Sequence, residues 1–118
     1  MLDIKVGDKG EIVLSGRFDA SQAAMAETVL GAVTESRVVD LGDLQYISSL
    51  GLGVLLATQK RLMASGHHLT LVNVRGHVRE VLHYAGFDAV FAIDPKPQWL
   101  RRRRIRAGRS PGRRGTGR

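Results

Sequence analysis

The chain has 118 residues, no cysteine and a formal net charge of +7. Its length suits one domain, and the lack of cysteine excludes disulfides and thiolate metal sites and fits a reducing compartment. Residues 1–94 hold eight of the 18 basic residues and all 11 acidic ones, a net of −3, whereas residues 95–118 hold the other ten basic residues and no acid. A mildly acidic domain (1–94) followed by a strongly basic tail (95–118) is therefore expected, and charge has to be read separately for each. The start, Met1-Leu2-Asp3-Ile4-Lys5, lacks the basic-then-apolar pattern of a signal peptide, and no apolar run approaches membrane-spanning length. A soluble, cytoplasmic protein without membrane insertion is the expectation.

Leu2, Ile4 and Val6 alternate with polar residues, Gly7-Asp8-Lys9-Gly10 supplies a turn, and Ile12 and Leu14 resume the alternation. This pattern predicts an antiparallel hairpin. Gly16-Arg17-Phe18-Asp19 leads out of the second strand, and Asp19 or Ser21 can cap a helix whose apolar face is Met25, Val29, Ala32 and Val33. Val38-Val39-Asp40-Leu41 reads as a buried strand, so strand, helix and strand predict a right-handed parallel crossover.

After Tyr46-Ile47-Ser48-Ser49 a helix begins, with Leu52, Leu55, Leu56, Leu62 and Met63 on one face and Gly66 as its left-handed cap. Leu69, Leu71, Val72 and Val74 predict a strand. Val78, Val81, Leu82 and Ala85 predict a short helix ending at Gly86, and Phe87 through Ile93 a last strand. The order is β-β-α-β-α-β-α-β, an α/β domain with a mixed sheet and amphipathic helices packed against it. Beyond Pro95, Arg101-Arg102-Arg103-Arg104 and Arg106 stand among Gly, Ser and Pro. Such a segment repels itself and buries little, so disorder is expected there, as a solvated extension or an arm contacting nucleic acid.

No catalytic or metal site assembles from these residues. The four histidines are scattered, and His77 and His83, six apart, do not share a helical face. Gly51-Leu52-Gly53 lacks the last Gly of a dinucleotide fingerprint and the Gly-Lys of a P-loop, and no serine has a His-Asp context. A non-enzyme without cofactor is expected. Ser48 and Ser49 lie where the central helix starts, so one of them can cap it, and the other is left at an electropositive helix N-terminus that suits a phosphate. From the residues alone Ser49 is either a cap or a switch.

The stretch from Val39-Asp40-Leu41 through Tyr46-Ile47-Ser48-Ser49-Leu50-Gly51-Leu52-Gly53-Val54-Leu55 resembles the central motif of the STAS family, in particular bacterial anti-sigma factor antagonists. Leu14-Ser15-Gly16-Arg17-Phe18-Asp19 is similar to the family's motif after strand two, and Val74 through Phe87 to its stretch ending in Gly and an apolar residue. The resemblance spans about residues 2–94 and implies a STAS-like sheet with helices on one side. It implies Ser49 as phosphoacceptor and Asp19, Ser48, Ser49, Leu50, Gly51, Leu52 and Gly53 as the partner-binding surface. The implied partners are an anti-sigma factor that is also a serine kinase and a metal-dependent serine phosphatase. Two positions depart from the pattern: Ser48 stands where an acid is usual, and Leu50 where a small residue is. Within the same fold, a STAS subunit of a lipid-transport ABC system, or a signalling scaffold without phosphorylation, is the alternative. Nucleic-acid contact through the arginine tail is the alternative of another class.

Overall fold

A computed structural model describes residues 1–94. The tail 95–118, with the disorder expected of it, lies outside the described residues. The sheet has five strands in sequence order: β1 (Leu2–Val6), β2 (Ile12–Phe18), β3 (Arg37–Ile47), β4 (Leu69–Val72) and β5 (Ala92–Asp94). β1 is antiparallel to β2, and the other neighbours are parallel. Helices α1 (Ala23–Gly31), α2 (Ser49–Met63) and α3 (Gly76–Tyr84) form the three crossovers. Strands that advance one position at a time through right-handed crossovers must place every helix on the same face. The buried residues of all three helices accordingly join one core with the inward residues of the sheet. The expected element order and the mixed sheet are both present.

The expected hairpin forms, with Ile4 opposite Leu14 and Val6 opposite Ile12. β2 runs on through Gly16 and Arg17 to Phe18, further than its alternation suggested. Gly16 permits this: its φ is +91°, and an added Cβ would strike the Met1 carbonyl. β3 is also longer than the predicted Val38–Leu41, with 11 residues. Its buried positions Val39, Leu41, Leu44 and Ile47 are spaced two, three and three apart. Two bulges against β2 account for the extra residues, and bulges break the two-residue period that marks a strand in sequence. Asp40 holds the first bulge, its carboxylate accepting the Gly42 N–H at 2.8 Å and the Asn73 side-chain N–H at 3.1 Å.

The face of α1 differs in part from the expected one. Val33 is buried as expected, with Ala26 and Leu30, while Met25, Val29 and Ala32 are exposed. The chain enters α1 through a 3-10 turn, Ala20–Gln22. Arg61 of α2 donates to the carbonyls of Val33 and Leu30 at 2.8 and 2.9 Å, closing the C-terminal end of α1. On α2, Leu55 and Leu62 are buried as expected and Leu52 and Leu56 partly so, but Met63 is exposed. The buried stripe instead includes Gly51, Val54, Thr58 and Gln59. Gln59 is a buried amide bonded at both ends, donating to the Val90 carbonyl at 2.9 Å and accepting the Leu69 N–H at 2.7 Å. Gly66 has the expected left-handed conformation, φ +85°, and His67 N–H reaches back to the Leu62 carbonyl. Ala85 is exposed rather than core. The predicted last strand is halved: Phe87–Ala89 is a 3-10 turn that stacks Phe87 on Phe91 at 5.1 Å, and only Ala92–Asp94 pairs with β4.

Candidate functional site

β2 and β3 end together, Phe18 level with Ile47, at the carboxyl end of the parallel strands. Ser48 N–H donates to the Phe18 carbonyl at 2.9 Å, so the start of α2 is stitched to the end of β2. Open α/β sheets place their functional loops at this end, where strands stop and helix N-termini point outward.

The cap is Ser48. Its backbone is extended (φ −86°, ψ 169°) and its hydroxyl accepts the Gly51 N–H at 3.1 Å, while its carbonyl accepts the first helical bond from Leu52 N–H at 2.9 Å. This arrangement satisfies the third-position amide that a capping serine usually takes. Ser49 is then the first helical residue. It is exposed, and its hydroxyl has no hydrogen-bond partner among the described residues. The reading of Ser49 as the cap is therefore corrected: the neighbouring serine does that work.

Of the other residues in the expected surface, Leu50 is 56% exposed and Gly53 is open, with nothing within 4 Å of an added Cβ. Leu52 is partly buried against the core. Gly51 is buried, and an added Cβ would lie 3.0 Å from Ile47 Cγ1 and 3.1 Å from the Phe18 ring. Its role is close packing of the helix on the sheet, leaving Ser49, Leu50 and Gly53 as the accessible part of the loop.

Asp19 follows directly on Phe18, beside Ser48 through the Ser48–Phe18 bond. It is half-buried and makes no side-chain capping bond. Its carboxylate accepts the Ser21 hydroxyl at 3.2 Å and lies 3.9 Å from Arg17 Nε. Both Asp19 and Ser49 thus stand at one end of the sheet with their polar atoms open to solvent.

Arg17, Tyr46 and His77 form a feature absent from the sequence reading. The Arg17 guanidinium lies 4.4 Å from the Tyr46 ring centre, and His77 stacks near-parallel on that ring at 6.3 Å. The register that pairs Arg17 with Tyr46 depends on both β3 bulges, so no local pattern announces it. No positive charge lies in the first turn of α2, whose basic residues Lys60 and Arg61 are in its last turn. Among the described residues no group of three or more His, Asp or Glu could hold a metal ion, and no helix is long and apolar enough to cross a membrane.

Comparison with known proteins places this geometry. Residues 4–94 match the family model described as Mlab, STAS domain. The chain is 40% identical over 84 residues to BtrV of Bordetella bronchiseptica, named as a candidate anti-sigma factor antagonist, covering 68% of this chain and 72% of that protein. It is similar to the crystal structure of an anti-sigma factor antagonist from Mycobacterium paratuberculosis, with a TM-score of 0.70 and 27% identity over 89% of this chain and 94% of that one. The fold also resembles SpoIIAA of Bacillus, an anti-sigma factor antagonist solved in its unphosphorylated form, with a TM-score of 0.62 and 18% identity over 90% of this chain and 98% of that one. With its central loop, its five-stranded sheet and these likenesses together, the chain belongs to the STAS domain family, within its anti-sigma factor antagonist group.

Proposed function

We propose that this protein binds a kinase-type anti-sigma factor through the loop at the start of α2, thereby freeing a sigma factor, and that phosphorylation of Ser49 ends the binding. The observation that carries this reading is the division of labour between the two serines. Ser48 spends its hydroxyl on the Gly51 amide, and Ser49 keeps its own exposed one residue further on. A phosphate there sits at the positive end of the helix dipole, beside the first-turn amides that no cap has taken, so the fold tolerates it. It adds about −1.5 to −2 charge to a face that has to lose water against a partner. Beside it stands Leu50, 56% exposed, so an uncompensated charge in the contact costs several kcal/mol, on the order of 3–5, where it is buried. Asp19, at the same end, contributes a polar contact. A metal-dependent serine phosphatase would reset the switch.

The test is to incubate the protein with candidate kinase-type anti-sigma factors and ATP and to map the phosphate. Modification at Ser49 alone is expected, and modification at Ser48 or Ser110, or none with any partner that binds, defeats the switch. A second reading draws on Ser48 standing where an acid is usual and on the apolar exposure of Leu50. In that reading the same loop docks permanently on the ATPase of a lipid-transport system, or on a signalling scaffold, without phosphorylation. Tight binding to an ATPase subunit with no phosphate transfer would favour it.

A further inference from the structure

β1 is one edge of the sheet, and the ladder it forms with β2 shows which of its backbone groups point outward. Arg17 N–H donates to the Met1 carbonyl at 2.8 Å, and Gly7 N–H to the Glu11 carbonyl at 2.7 Å. In an antiparallel pair every second residue turns both its N–H and its C=O toward the neighbour. Met1, Asp3, Lys5 and Gly7 therefore face β2, and Leu2, Ile4 and Val6 hold their backbone groups outward. Those outward groups have no partner among the described residues. The register with β2 runs without a shift and β1 contains no proline, so neither a bulge nor a proline guards this edge.

The side chains select what fits there. Leu2, Ile4 and Val6 lie on the core face, and Asp3 and Lys5 on the face without helices. Leu2 is buried, Ile4 packs partly against the core and Val6 is 67% exposed, so the apolar row loses its cover along the strand. A lone lysine on an edge strand discourages pairing, but here Asp3 accompanies Lys5. A second β1, antiparallel and centred on Ile4, sets Asp3 opposite Lys5 of the other copy and Lys5 opposite its Asp3. Cross-strand pairs of opposite charge are favourable. Centring on Asp3 or on Lys5 opposes like charges instead. The Ile4-centred register also joins Ile4 to Ile4 and Leu2 to Val6, which pairs every outward N–H and C=O of the three residues. It lays the exposed Val6 beside Leu2 of the other copy. In the single chain Asp3 and Lys5 meet each other at 3.6 Å with side chains 58% and 74% exposed, a contact that contributes little.

We propose that two copies of this chain associate through their β1 edges, antiparallel about Ile4, making one sheet of ten strands from two of five. β2 separates β1 from β3, and the two-fold axis sends the two Ser49 loops to opposite ends of the joined sheet. Each loop stays open to its own partner. A contact through one strand is small, so the dimer forms in the micromolar to millimolar range and is not obligate.

Analytical ultracentrifugation of the full chain over that range measures the association, and the parent is expected to dimerise. Asp3→Lys and Lys5→Asp should each weaken the dimer by about tenfold or more, because each turns two opposite-charge pairs into like-charge pairs. Both side chains are exposed, so unfolding should match the parent's. An equimolar mixture of the two variants should dimerise again, as should the double variant D3K/K5D, since either restores opposite charges across the axis. Hydrogen exchange followed by NMR locates the contact. The amides of Leu2, Ile4 and Val6 should slow as concentration rises, while those of Asp3 and Lys5, already bonded to β2, should not change. A monomer throughout the range overturns the proposal. So does a dimer that the single reversals leave untouched, a mixture that fails to restore association, or new protection confined to residues outside β1.

Discussion

Two glycines lie two residues apart at the start of α2, and the structure assigns opposite signs to the same substitution at each. At Gly53 an added methyl meets nothing within 4 Å, so Gly53→Ala gains helix propensity with no steric cost and should stabilise by about 0.5–1 kcal/mol. At Gly51 the methyl would lie 3.0 Å from Ile47 Cγ1 and 3.1 Å from two atoms of the Phe18 ring. Neither neighbour can yield, because Phe18 is 0% and Ile47 3% exposed. Overpacking of this kind costs about 1–3 kcal/mol, which outweighs the roughly 1 kcal/mol gained in propensity. The net expectation for Gly51→Ala is a loss of about 1 kcal/mol, or some 4–8 °C in Tm for a domain this size. Urea unfolding of the two variants and the parent, compared at equal m-values, measures it. If Gly51→Ala is stabilised as much as Gly53→Ala, then α2 does not start in close contact with the ends of β2 and β3, and the placement of the Ser49 loop is wrong.

The serines offer a second contrast. Ser48→Ala removes the hydroxyl that takes the Gly51 amide and should cost about 1 kcal/mol in denaturant unfolding, whereas Ser49→Ala should cost no more than a few tenths, near the spread for exposed sites. Gln59→Leu deletes both bonds of a buried amide, to Val90 and Leu69. It strands a part-buried acceptor and a buried donor and should lose about 2–3 kcal/mol; a neutral result would mean that those backbone groups find water. Asp19→Ala, whose carboxylate makes only a local bond to Ser21 and a long pair with Arg17, should weaken partner binding in a titration while unfolding stays within about 0.5 kcal/mol of the parent.

Alternation in β1 and at the start of β2, the glycine at position 66 and the central loop were all readable from the residues, and with them the element order. What escaped the sequence was governed by contacts distant along the chain. The far half of β3 carries two bulges that shift its inward positions from Val39 and Leu41 to Leu44 and Ile47, so a two-residue period cannot find it. The expected face of α1 rested on the larger Met25 and Val29, whereas Ala26 and Leu30 are the residues buried in the helix. Phe87 and Phe91 looked like strand residues and instead stack on each other across a turn. At the site, two adjacent serines are equivalent as letters. Only the bond from Ser48 N–H to the Phe18 carbonyl sets which of them stops at the sheet and which enters the helix.

The central claim is that Ser49 is a surface switch for partner binding. Its most direct test is the affinity of the wild type, Ser49→Ala and Ser49→Asp for a kinase-type anti-sigma factor, each variant first checked for unchanged unfolding. The alanine form should bind as tightly as the unmodified parent, and the aspartate form at least tenfold more weakly, a loss of about 1.4 kcal/mol or more. Equal affinity of all three would contradict the claim and leave Ser49 as an ordinary first residue of α2.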